Sequence, residues 1–172
     1  TGDVFLGGNH IEVGISKHGS FGSMGTAPSG FHPMDYEHPG RIGFVMDGDG
    51  WDTGASPLVG DFFLPGTPED RFILGYYVGG TLVQNRTADA VNVSWSSPIS
   101  ELQTVDESVL SEGLLKAVTT GITRDGIKLT QTVSFNVNDS FFWISIEIEN
   151  VSAQTVTDVR FMKSVDPDQD HE

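Results

Sequence analysis

The chain contains no cysteine. That single absence excludes disulfide bonds, thiolate zinc sites and cysteine nucleophiles. Basic residues are scarce as well: 9 Lys and Arg stand against 24 Asp and Glu, for a formal net charge of −15. A field of that sign repels phosphate backbones and anionic headgroups, so neither nucleic-acid binding nor membrane insertion is expected. No apolar run approaches the roughly 20 residues that cross a bilayer as a helix. Histidine is sparse, at His10, His18, His32, His38 and His171, and no HExxH or HxH spacing occurs. Gly19-Ser20-Phe21-Gly22 lacks the residue that a GxSxG elbow needs, and no Walker A loop is present. No signal-peptide pattern opens at Thr1, as expected of a segment cut from a longer protein.

What is present is glycine, with 21 residues, and short apolar pieces. In the first half these pieces fall at residues 4–6, 11–15, 42–46, 62–64 and 72–78, each bounded by Gly, Pro or Asp. Pieces too short for a helix and closed by turn residues read as short strands joined by ordered loops. The second half alternates. Ile127, Leu129, Val133, Phe135 and Val137 share one parity, interrupted only by Gln131, and polar residues fill the other. Phe142, Ile144, Ile146 and Ile148 alternate in the same way with Trp143, Ser145 and Glu147. Period two of this length predicts half-buried strands. With Asp125-Gly126 and Asn138-Asp139 as turns, residues 114–165 read as one antiparallel meander whose inner face needs a second layer. The one helical candidate is residues 100–115, where Leu102, Val105, Val109 and Leu110 fall near helical spacing after a possible Ser100 cap. The expected fold is an all-β, antiparallel β-sandwich with Gly/Pro/Asp-rich loops and at most one short helix near 100–115. The 172 residues are expected to form a single domain, incomplete at its C-terminus.

Two aspartate clusters carry the clearest chemistry. Asp47-Gly48-Asp49-Gly50-Trp51-Asp52 alternates carboxylates with glycine, which lets a tight loop fold several oxygens onto one hard cation such as calcium. Position 6 counted from Asp47 is Asp52 rather than glycine, and position 12 is Leu58, so the loop is not an EF-hand. Asp166, Asp168 and Asp170 alternate directly after the last strand and form a second candidate set. A solvated turn, with each Asp capping its own backbone amides, is the competing reading of the first cluster, and a frayed acidic end that of the second. Trp51 and Trp143 are weaker ligand-binding candidates, the latter on the polar face of its strand where an indole could stack on a sugar or a neighbouring domain. Four N-glycosylation sequons start at Asn85, Asn92, Asn138 and Asn150.

The stretches Asp3-Val4-Phe5-Leu6-Gly7-Gly8-Asn9 through Gly19-Ser20-Phe21-Gly22, and Phe62-Phe63-Leu64-Pro65-Gly66-Thr67-Pro68-Glu69, resemble a domain of the giant calcium-dependent RTX adhesins of bacterial surfaces. So do residues 133–139 and the run from Val159 to Asp168 with its Asp166-Pro167-Asp168 motif. The domain resembled is the split scaffold of the ligand-binding region, interrupted by an inserted module and continuing beyond that motif. The resemblance implies an extracellular, non-catalytic, calcium-binding module that presents a peptide- or sugar-binding neighbour. It implies as partners neighbouring adhesin domains or a complementary C-terminal segment of the same protein, and peptide or glycan ligands on a host cell. It transfers no catalytic residue. Two other classes stay open: a carbohydrate-active domain using paired carboxylates among Glu12, Glu37, Glu69 and Asp70, and a direct lectin-like or peptide-binding module using Trp51 or Trp143.

Overall fold

A computed structural model describes residues 2–34, 38–51, 53, 61, 63, 70–86 and 99–164. They form ten strands in three antiparallel sheets. The first sheet has the order β1 (Val4–Gly7), β2 (Ile11–Ile15), β3 (Phe44–Met46). The second places β4 (Arg71–Val78) between β5 (Thr81–Arg86) and β10 (Val156–Ser164). The third runs β6 (Ser100–Asp106), β7 (Leu114–Ile122), β8 (Ile127–Asn136), β9 (Trp143–Asn150). The β4–β5 hairpin turns on Gly79-Gly80, with φ of +56° and +81°. Both central residues of such a tight turn need positive φ, which glycine adopts without a Cβ clash.

The four-stranded sheet is the platform of the sandwich. Its strand β8 alternates buried and outward residues as its sequence period requires, and it belongs to two cores. Val133 and Phe135 pack with Leu115 and Ala117 of β7 against Leu6, Ile11, Val13 and Ile15 of the first sheet. At its other end Ile127 and Leu129 pack against Phe72, Leu74 and Tyr76 of β4. Each three-stranded sheet thus covers one end of β8. Full burial of one such side chain contributes about 1.5–3 kcal/mol.

Between the two cores lies a polar seam. Gln131, the one polar residue on the inner face of β8, is buried and donates from Nε2 to the Gly19 carbonyl at 2.7 Å. The Lys163 ammonium of β10 donates to Asp70 Oδ2 at 2.7 Å and to Gln131 Oε1 at 3.4 Å, and stands 4.8 Å from the centre of the Phe21 ring. The Phe21 amide donates to the same Asp70 oxygen at 2.8 Å. Thr104 of β6 donates to the Ser16 carbonyl at 2.8 Å and pairs with the Thr119 hydroxyl of β7 at 2.9 Å. Residues 16–21, the turn leaving β2, are therefore fastened to the other two sheets. Gly19 has φ of +82°, and a Cβ there would come within 2.7 Å of Thr119 Cγ2. Only glycine fits.

Two expectations are corrected. Residues 100–115 are not helical but hold β6 and a single 3-10 turn at Leu110–Glu112. Pairing of β6 with β7 outweighs a weak helical spacing that β-branched Thr104 and Val105 already disfavoured, and Gly113 takes the left-handed conformation. The meander also ends earlier than its turn signals suggest, because β10 pairs with β4 rather than β9. Asn150 makes the corner: its Oδ1 accepts from the Ser152 amide and hydroxyl, and its Nδ2 donates to the Gln154 carbonyl. Val156 and Phe161 then pack in the second core. Of the piece expected at 62–64, only Phe63 is described, as a turn residue against the first core.

Asp70 is wholly buried, whereas 16% of the Lys163 side chain reaches solvent. Lys163→Met is expected to cost about 3 kcal/mol of unfolding free energy by urea titration, because it strands a buried carboxylate. Asp70→Ala should cost less, since the ammonium it frees can reach water. Values below about 1 kcal/mol for both, inside the range of exposed ion pairs, would contradict the seam's role.

Candidate functional site

The first aspartate cluster follows β3, and its loop is pinned from both sides. The Asp47 amide donates to the His10 carbonyl at 2.9 Å, while His10 Nδ1 lies 3.2 Å from the Asp47 carbonyl, which can only accept. The buried Asp47 carboxylate accepts the Asp49 amide at 3.3 Å, and Gly50 turns the chain at φ +95°. Trp51 donates its indole N–H to the Gly8 carbonyl at 2.9 Å. Asp49 is exposed, and its carboxyl is held below the usual range first by hydrogen bonding to the Asp47 side chain, then to Thr53, with the His10 charge adding to the effect. The loop thus carries two carboxylates two residues apart, one buried and one exposed.

Beside this loop stands a constellation that the sequence reading did not single out. The Trp51 indole stacks on the His32 ring at 4.4 Å between centroids and 7° between planes. His32 is gripped by Glu12 of β2: Nδ1 lies 2.7 Å from Oε1, and the His32 amide donates to Oε2 at 2.7 Å. The two contacts with Glu12 fix the position of the His32 ring and backbone. Glu12 is buried, and burial raises its carboxyl pKa despite the opposing hydrogen bonds and charge of His32. One signal was available: a glutamate in the otherwise apolar Ile11–Ile15 strand needs a buried partner.

Asp52, Asp166, Asp168 and Asp170 lie outside the described residues, as do Glu37 and Glu69. Among the described residues no three His, Asp or Glu side chains gather as a metal site. The described part of the loop supplies two carboxylates, where calcium takes roughly six to eight oxygens. Backbone carbonyls, waters and Asp52 would have to supply the rest. Asp70, one of the carboxylates considered for catalysis, is committed to Lys163 and Phe21 in the seam. Trp143 stands exposed on the outer face of the four-stranded sheet. The sequon at Asn85 is sealed in the second core, where its amide donates to the Tyr76 hydroxyl at 3.1 Å, so the folded protein cannot be glycosylated there.

Elsewhere single carboxylates organise loops. Asp3 accepts the Met24 and Gly25 amides, and buried Asp61 accepts those of Gly43, Phe44 and Phe63. Asp106 and Asp139 cap Ser108 and Asn136 in the same manner. Part of the acidic excess thus serves the backbone. Comparison with protein-family models, with curated proteins and with solved structures gave no match.

Glu12 and Asp70 both titrate above their ordinary values, in each case first because burial disfavours the charge. The folded state then takes up these protons at a higher pH than the unfolded chain does. The stability contributed by these two sites therefore rises as pH falls through the raised values, and is complete below the ordinary carboxylate range. In a 13C-carboxyl NMR titration both should titrate well above Asp49. Glu12 titrating at or below its ordinary 4.5 would contradict the burial argument.

Proposed function

We infer that the chain is a non-catalytic β-sandwich module of a bacterial surface adhesin, working outside the cell, in which calcium holds acidic loops and fixes how a neighbouring ligand-binding module is presented. The observation that carries this reading is the pinned acidic loop. In it Asp47 and Asp49 lie two residues apart on a stretch whose backbone is clamped by His10 and whose indole is clamped by Gly8 and His32. A clamped loop that holds like charges together is preorganised for a divalent ion. Asp47, Asp49 and Asp52 would form that site, and Asp166, Asp168 and Asp170 a second one. The resemblance carried by residues 3–22 and by the Asp166-Pro167-Asp168 motif points the same way.

The edges of the sheets fit a module that meets other segments. Strands β9 and β10 are terminal in their sheets and more exposed than β4 or β8. Among the described residues no strand pairs with their outer edges, where a strand from a complementary segment would add to the ladder.

Thermal unfolding in millimolar calcium and in chelator tests the reading. At calcium about 100-fold above Kd, binding adds ~2.7 kcal/mol, which for a domain of this size raises Tm by roughly 5–10 °C. The double variant Asp47→Asn/Asp49→Asn should lose most of the shift. Identical melting curves in calcium and in chelator would overturn the calcium reading.

A further inference from the structure

The outer face of the four-stranded sheet belongs neither to the two cores nor to the acidic loop. Two of its cross-strand rows, from β7 through β8 to β9, read Lys116–Ser134–Trp143 and Val118–Thr132–Ser145. Neighbouring strands lie about 4.8 Å apart, so three hydroxyls form a flat lattice beside one indole. Trp143 is 66% exposed, and Phe141 packs edge-on against it at 5.6 Å and 86°. That contact limits the tilt of the indole without covering it. Lys116 is neutralised by Glu107 at 2.8 Å, so these rows carry no net charge on a chain whose formal charge is −15.

We propose that this face binds a neutral saccharide, with a sugar ring stacked on Trp143 and its hydroxyls bonded to Ser134, Thr132 and Ser145. The chemistry selects the occupant. An aromatic plane packs on the C–H face of a pyranose, and the adjoining hydroxyls match those on the ring's rim. A charged polymer would call for uncompensated charge, which the rows lack. Phe141 borders the indole on one side, and Val118 and Val105 lie in the next row. Ser134, Thr132 and Ser145 interrupt this apolar surface beside the ring, which suits a sugar rim better than an apolar protein anchor. The inference is independent of the calcium site.

Affinity electrophoresis in gels containing dextran, laminarin or mannan, with alginate and chitosan as charged comparators, tests it in calcium and again in chelator. At least one neutral polysaccharide should retard the protein in both conditions. Trp143→Ala should weaken the retardation tenfold or more and Trp143→Phe only severalfold, with circular dichroism confirming that both fold. Leu82→Ser, at a half-exposed side chain on β5, should bind as the parent does. Retardation by no neutral polysaccharide, by charged ones alone, or to an equal extent in Trp143→Ala would overturn the proposal. So would a dimer of the parent in light scattering that Trp143→Ala dissociates, because the face would then be a self-interface. Loss of retardation in chelator alone would tie binding to the loops and also count against it.

Discussion

A lysine ammonium and an aspartate carboxylate meet where all three sheets converge, the carboxylate wholly buried and the lysine side chain still touching solvent. Lys163 arrives from β10, Asp70 precedes β4, Gln131 rises from β8, and the turn at 16–21 closes the gap with its own amide and carbonyl groups. Removing two charges from water is costly, and the cost is recovered only when each charge keeps several partners. Here one Asp70 oxygen accepts both the ammonium and an amide, and the Phe21 ring lies against the same ammonium. Two apolar cores share β8 on either side of this seam, although the other Asp70 oxygen is buried without a hydrogen bond and burial holds the carboxyl pKa raised.

The acidic character of the chain follows partly from the same demand. Short strands joined by long connections leave many amide groups without ladder partners, and a buried amide must find an acceptor. Carboxylates from Asp3, Glu12, Asp61 and Asp70 supply it at four places in the described first half. An acid used this way works singly. Asp47 accepts the Asp49 amide in the same way, but its loop carries a second acid two residues on, and this sets it apart from the other acidic bends.

The strands of the second half were legible because their periodicity is strict: residues 127–137 match Ile127–Asn136, and 142–148 match Trp143–Asn150 to within two residues at either end. Gln131 was visible as a break in parity, but its reason lay 112 residues away at Gly19 and 32 residues away at Lys163. Strand β6 was misread because an edge strand with one buried residue has almost no alternation to show. The partner of β10 was unreadable for another reason: its turn signal fitted a hairpin equally well, and the choice was made by Val156 and Phe161 packing in the second core. The acidic loop was legible from composition. The Glu12–His32–Trp51 stack was not, since nothing local links a strand glutamate to a histidine 20 residues on.

The turn at 16–21 also bears on how the chain reaches its fold. Its partners lie 49, 88 and 112 residues away in sequence, and Lys163 reaches Asp70 across 93. Closing loops of that length loses chain entropy before any contact returns it, so such links form late in folding. The β6–β9 hairpins, built on near neighbours, would assemble first and wait as a template with one greasy side uncovered. Until the central latch shuts, that nascent surface is open to pairing with other chains, and the rate at which the distant segments arrive decides how long it stays so.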